Sequence, residues 1–255
     1  MFCPNCGTQL PDGAGFCSNC GFSLSGAPAA SAAPAQGGGF LSFEIMKRAF
    51  RVILKKPFKL WGLSLLCGLL ELLAYIFGGP VLAIGLVISL VLTLGMEWIY
   101  LDGFRGEEVD SKQLFEPFKN FWRSFAGMGW RELWILIWSM IPFAGIVFGV
   151  IKSYAYQLTP FIMREDAEIG AQDALKESIR RTNGYKGKMF VADLLIVLIL
   201  CAPSLVLSLF GLIPFVGIVF TILNCLYSMV IAIFGPLYSG LVRAAWYEEI
   251  TGAQE

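Results

Sequence analysis

Four cysteines in two near-identical knuckles carry the plainest chemistry in this chain: Cys3-Pro4-Asn5-Cys6-Gly7 and Cys17-Ser18-Asn19-Cys20-Gly21. Each pair brackets two residues, and ten residues separate the pairs. Four soft thiolates on two tight turns suit a tetrahedral ion with bonds of about 2.3 Å. Gly7 and Gly21 let the backbone turn back, so that amide N–H groups can point at the sulfurs. Leu10-Pro11-Asp12-Gly13 supplies the turn between the pairs. Two structural disulfides, or an iron–sulfur site, are competing uses of the same cysteines. The repeated knuckle favours metal, and so does the opening stretch, which has neither the basic nor the apolar region of an export signal. Zinc is the expected occupant. With Cys3, Cys6, Cys17 and Cys20 as ligands the site is closed, so its expected role is structural. A segment this short cannot bury a self-sufficient core; metal binding, worth on the order of 10–16 kcal/mol, would supply its folding energy.

The stretch "FCPNCGTQLPDGAGFCSNCG" resembles the short zinc-ribbon modules found at the ends of many bacterial and archaeal proteins, over residues 1–24. Some such ribbons bind nucleic acid. Here all 19 Lys and Arg lie at or after Lys47, so the phosphate-neutralising charge is missing from the ribbon. No nucleic acid is expected; contact with a protein partner is. Residues 25–39, rich in Ala, Pro, Gly and Ser, read as a flexible linker.

The remaining elements must live in lipid. Hydrophobic residues make up 56% of the chain and charged residues 15%, against roughly 25% in soluble domains. Mean hydropathy is +0.68. The absence of histidine removes His bases, His ligands and Ser-His or Cys-His nucleophiles. Apolar runs fall at 60–77, 81–101, 130–163, 190–210 and 215–238. Cys67, Cys201 and Cys225 sit within such runs and read as inert apolar residues.

An internal repeat decides how the runs are cut. Residues 141–148, Ile-Pro-Phe-Ala-Gly-Ile-Val-Phe, match residues 213–220 at seven of eight positions, and Gly79-Pro80-Val81 is a weaker copy. Each copy marks a break between two apolar stretches. Before each hairpin stands a basic amphipathic stretch: 44–56, 111–123 and 172–188. Each unit ends in an aromatic and a charge: Phe104-Arg105, Phe161 to Arg164, and Arg243 to Tyr247. The expected fold is therefore an all-α polytopic membrane protein over residues 40–252. It has about six transmembrane helices in three hairpins, with interfacial amphipathic helices, behind the small four-cysteine zinc ribbon. The hairpin turns lack Lys and Arg, and only Lys152 among the basic residues lies within an apolar run beyond a turn. The positive-inside rule then puts both termini in the cytoplasm of a multi-pass cell-membrane protein, in keeping with a reduced metal site. The middle hairpin is short: Trp130 to Ile141 gives about 18 Å of helix, and a shallow re-entrant hairpin between four full spans keeps the same orientation.

Glu71 and Lys152 are the polar groups costliest to place in hydrocarbon, at about 2.5–3.5 kcal/mol on insertion scales. They form a candidate intramembrane polar site, either as a pair lining a cavity or as separate groups that snorkel. Glu97 and Asp193 read as groups near the span ends that need no special account. Asn224 reads as a helix–helix hydrogen bond. Trp98, Trp122, Trp130, Trp134, Trp138 and Trp246 read as interfacial anchors.

The segment "KSYAYQLTPFIMREDAEIGAQDALKESIRRTNGYKGKMF", with "GPLYSGLVRAAWYEEITG" near the end, resembles a bacterial family of uncharacterised integral membrane proteins. That family's membrane region is similar to the one attached to some glycerophosphodiester phosphodiesterases. The resemblance implies a multi-pass helical fold over residues 40–252 and no reaction. The expected function is a non-enzymatic scaffold or regulatory membrane protein whose ribbon contacts a partner. The alternative is a small-molecule or lipid transporter or channel built from the three hairpins. A membrane enzyme ranks third, for want of an acid–base pair or an open metal site.

Overall fold

The computed structural model describes residues 38–252 apart from 56, 78–81, 143 and 214. The four knuckle cysteines, most of the linker, the Gly79-Pro80-Val81 copy and Pro214 lie outside the described residues. Residues 1–37 and 38–255 form separate units. The first helix opens at Gly38, inside the stretch read as linker.

Helices are the only regular secondary structure among the described residues. In chain order they form α1 (Gly38–Lys55), α2 (Pro57–Phe77), α3 (Leu82–Arg105), a 3₁₀ segment (Ser111–Asn120), α4 (Phe121–Ser139) and α5 (Gly145–Ala155). Then follow α6 (Thr159–Glu165), α7 (Ala171–Arg181), α8 (Lys186–Phe210) and α9 (Gly217–Gly252).

Three hairpins are present: α2 with α3, α4 with α5, and α8 with α9. They close into a ring. The second helix of each hairpin packs on the first helix of the next: α3 on α4, α5 on α8, and α9 on α2. The leading segments follow the same rule one unit back. The 3₁₀ segment packs on α3, α7 packs on α4 and α6, and α1 packs on α8 and α9. The threefold repeat read from the sequence is thus a threefold repeat of packing. Both described copies of the Pro–Gly motif also share one local geometry. Gly145 N donates to Ile141 O at 2.8 Å, and Gly217 N donates to Ile213 O at 2.7 Å. A Cβ on Gly145 would strike the Ser139 carbonyl, and one on Gly217 the Gly211 carbonyl, six residues back in each case. Only glycine allows the returning chain to start its helix that close.

Four helices are long and apolar enough to cross a membrane, over Phe58–Ile76, Ile84–Arg105, Lys186–Phe210 and Gly217–Gly252. The middle hairpin is where these four candidates and the expected six differ. There α5 has 11 residues, about 17 Å of helix against a hydrocarbon core of about 30 Å, and α4 carries Arg123, Arg131 and Glu132. The four spans are unequally enclosed. Of the apolar window of α3, 61% is buried, against 17%, 11% and 6% for α2, α8 and α9. So α3 is the central post, and the other three turn Leu, Ile, Val and Phe outward, as a lipid-facing surface requires.

The amphipathic leading segments pack on protein. In α1, Ser42, Ile45, Met46 and Ala49 are buried at helical spacing, while Lys47, Arg48 and Arg51 face out. Asp110 caps the 3₁₀ segment, accepting from Ser111 N, with Gln113 returning the bond to Asp110 N at 2.9 Å. That segment lies so close to α3 that a Cβ on Gly95 would collide with the Leu114 carbonyl group. Close backbone approach at a glycine is the usual device of helix packing in lipid. Gly95→Ala is expected to destabilise the protein by about 1–3 kcal/mol, the usual scale of overpacking, read as a lowered unfolding midpoint in detergent.

Candidate functional site

The unit ends that the sequence marks with an aromatic and a charge meet at one end of the bundle. Arg105 at the end of α3 bridges Glu165 of α6 and Glu248 of α9. Arg164 of α6 bridges Asp102 of α3 at 2.9 Å and Glu116 at 2.6 Å, and its guanidinium lies 5.0 Å from the Trp98 ring centre. Tyr247 of α9 donates to Glu165, packs on Phe161 and receives a hydrogen bond from Arg181. Every unit is thereby tied to both others. Burial works against the charge of Arg164, but Asp102 and Glu116 outweigh it, so its pKa lies above the ordinary arginine value. The Arg180 guanidinium, with Arg181 beside it, holds the Glu177 carboxyl down to about 2. Arg123 donates to the carbonyls of Met163, Asp166 and Ile169, fixing the loop after α6.

Two of the tryptophans read as interfacial are core groups instead. Trp98 is 7% exposed and donates to the Pro160 carbonyl at 2.9 Å, and Trp246 is 1% exposed. The ring made by three units leaves no lipid-facing place for either. Trp122, by contrast, is exposed. Asn224 meets its expected role: it accepts from Ser204 at 2.7 Å and donates to Ser208 at 3.1 Å across the α8–α9 hairpin.

Above this clasp, a cavity of about 520 Å³ lies among α2, α3 and α9. Its size is that of a small-ligand pocket. Helical spacing builds it. Ser64, Cys67 and Glu71 share one face of α2; Thr93, Glu97 and Tyr100 share one face of α3; Pro236 and Arg243 stand two turns apart on α9. A Cβ on Gly240 would enter the Tyr100 ring, so that glycine lets α9 pass beside the cavity wall.

Glu71 is where the sequence reading puts a functional group, inside a cavity, but its partners are Thr93 Oγ1 at 3.0 Å and Cys67 Sγ at 3.6 Å. Lys152 stands elsewhere, on α5, 4.4 Å from the Trp138 ring centre and 6.0 Å from that of Tyr156. The structure therefore seats the two residues on different partners.

The groups passed over in the sequence are the ones it pairs. Arg243 reaches Glu97 at 2.6 Å, with the Glu97 side chain only 5% exposed. Tyr154 of α5 donates to Asp193 of α8 at 2.8 Å. Glu97 Oε2 and Arg243 Nε have no hydrogen-bond partner among the described residues. The available signal was the charge at each unit end. Arg243 needs a counter-ion, but α3 carries both Glu97 and Asp102, and the sequence pattern does not choose between them.

Among the described residues, no group of three or more His, Cys, Asp or Glu side chains could hold a metal. The knuckle cysteines lie outside them. Among known families, residues 2–24 match the zinc-ribbon domain. The chain thus joins an N-terminal zinc ribbon to a body whose described residues are helical, with four candidate membrane spans. No curated protein and no solved structure matches it. The donor set fits the metal, because four cysteine thiolates are what a closed tetrahedral zinc site uses.

Two outcomes are expected. Purified protein should carry zinc in proportion to chain, and Cys3→Ser/Cys17→Ser should lose it, measured by elemental analysis. Arg243→Ala strands the Glu97 carboxylate in the interior and should cost about 3–5 kcal/mol. Arg243→Met combined with Glu97→Met should recover most of that loss in the same detergent unfolding measurement.

Proposed function

We propose that this protein is a non-enzymatic scaffold or regulatory protein of the cell membrane that presents its zinc ribbon to a protein partner on the cytoplasmic side. The observation that carries the reading is the zinc-ribbon match over residues 2–24, joined to a membrane body by a stretch of small residues. A closed four-thiolate site offers metal no substrate position, so its use is to fold a surface. That surface carries no Lys or Arg, which favours protein over nucleic acid. Sidedness is supported by the basic residues. Arg48, Arg105, Arg164 and Arg181 all belong to the clasped end of the bundle, where the positive-inside rule puts the cytoplasm and where thiolates stay reduced. On this reading residues 40–252 belong with the uncharacterised membrane family whose motifs they resemble.

A second reading, a transporter or channel, is favoured by one observation: the α2–α3–α9 cavity with acidic groups at membrane depth.

Affinity capture from detergent-solubilised membranes, with the full chain and with a chain lacking residues 1–39, tests the first reading. At least one partner is expected to be lost on deletion and on Cys3→Ser while membrane insertion is unchanged. The same partners captured by both chains would sink it.

A further inference from the structure

We propose that α1 lies in the plane of the membrane surface and is the docking site for an anionic phospholipid, whose phosphate is held by Arg51 and Lys55. This goes beyond the scaffold reading and does not depend on the ribbon; it requires only that α2 crosses the membrane.

The contacts of α1 fix its direction. Ser42 Oγ donates to the Lys188 carbonyl at the start of α8 at 2.9 Å. Tyr238 of α9 donates to the Met46 carbonyl at 3.1 Å. Further along, Arg48, Arg51, Val52 and Lys55 line a pocket of about 310 Å³ together with Phe104 of α3. In chain order α1 thus passes from α8 to α9 to α3, across three helices rather than beside one. Its rotation is fixed by α9. Arg243, Glu248 and Glu249 all lie in the second half of α9, so that end is the one that leaves the bilayer. Phe50 packs edge-on against Tyr238, with ring centres 6.4 Å apart. Arg48 reaches Glu249, about 16 Å further along the α9 axis. The Phe50 side of α1 is therefore turned toward the bilayer and the Arg48 side away from it.

The outward side chains sort by the same axis. Phe43, Phe50 and Leu54 are each more than half exposed, and their spacing puts them on one line. Lys47, Arg51 and Lys55 are exposed at intervals of four and form the line beside it. A helix with an exposed apolar stripe and a basic stripe at its border suits the boundary between acyl chains and headgroups. The candidate span in α2 opens at Phe58, three residues after Lys55, so α1 ends where the hydrocarbon begins. Arg51 stands one turn before Lys55, about 6 Å along the helix. With α1 in the surface plane, both cations lie at headgroup level.

Charge complementarity names the occupant. Arg48 is spent on Glu249, and Glu44 is the one acid in α1. Arg51 and Lys55 make no hydrogen bond or ion pair among the described residues. The planar guanidinium and the ammonium can donate together to the oxygens of one phosphate. The acyl chains of the same lipid then descend beside Phe50 and Leu54. An acidic protein would answer the charge and leave the apolar stripe unused; an anionic phospholipid answers both.

The test is native mass spectrometry of the full-length protein in detergent, titrated with dioleoylphosphatidylglycerol or dioleoylphosphatidylcholine. The first phosphatidylglycerol is expected to bind at least tenfold more tightly than phosphatidylcholine. A basic residue at an anionic surface is worth about fivefold in affinity. Arg51→Gln/Lys55→Gln should therefore remove the preference, while zinc content and unfolding midpoint stay as in the wild type. Lys176→Gln, on exposed α7 surface, should leave the preference unchanged. Millimolar inorganic phosphate should displace no lipid. Equal binding of the two lipids, a preference that survives Arg51→Gln/Lys55→Gln, or the same loss from Lys176→Gln would overturn the site. So would displacement by inorganic phosphate, which would give the pocket to a soluble anion. Capture of a protein partner that Arg51→Gln/Lys55→Gln abolishes while the lipid preference stands would give the face to an acidic protein instead. Failure on any of these counts leaves partner capture through residues 1–39 untouched.

Discussion

The ends of three repeated units are pinned together by arginines, and the rest of the membrane body follows from that junction. Arg105, Arg164 and Arg243 each leave one unit and find an acid in another: Glu165 and Glu248, Asp102, and Glu97 respectively. A ring of helical hairpins in lipid has no hydrophobic force to close it, because lipid tails are as apolar as the helices. Closure has to come from close packing and from polar contacts. Both are concentrated at this end, where Phe161, Trp246 and Tyr247 are buried beneath the charges. Buried ion pairs are weak sources of net stability, since desolvation offsets most of the attraction. Their stronger effect is negative: any other pairing of the three units would bury an arginine or a carboxylate alone. The charges therefore select one arrangement of near-equivalent hairpins.

That junction was partly legible in the residues. The near-identity of 141–148 and 213–220 fixes the hairpin turns, and the coordinates repeat it down to the hydrogen bond from the glycine N–H. The aromatic and charge at each unit end were visible as a pattern, and they are the residues that meet. What the pattern could not show is which acid answers which arginine. Glu97 lies among Met96, Trp98 and Ile99, in a run apolar enough to be a span, so it reads as an end group. Its burial depends on α9 returning to α3 after some 140 residues of intervening chain, and linear sequence holds no term for that. The tryptophans were misplaced for a related reason. An aromatic near the end of an apolar run looks the same whether the end meets a headgroup or another unit.

The candidate spans and the expected six differ where hydropathy and length disagree. The run 130–163 is apolar enough to suggest two helices, but Tyr156-Gln157-Leu158 breaks it, and α5 stops after 11 residues. The remaining turn of apolar sequence is α6, whose Phe161, Ile162 and Met163 are buried against protein. Apolar residues there serve a core, which a hydropathy window cannot tell from lipid exposure.

This inequality among the units also explains where the cavity lies. The 3₁₀ segment packs on α3 and α4 at the seam between first and second units, and α6 packs on the same two helices; α7 leads on to the third unit and packs on α4 and α6. At the seam between third and first, where α9 meets α2, the covering element is α1, which packs mainly on α8 and α9 and more lightly on α2 and α3. Gly240 lets α9 approach the Tyr100 ring of α3 closely, and Pro236, which interrupts the α9 hydrogen-bond ladder, lines the cavity. Trp61 stacked on Phe234 at 5.7 Å closes one stretch of the seam, and Glu97 with Arg243 closes the end next to the clasp. Between these contacts lies the cavity, with Glu71 of α2 and Thr93 of α3 on its wall and an apolar rim. The unequal units thus leave a recess at the joint where the first and third hairpins meet.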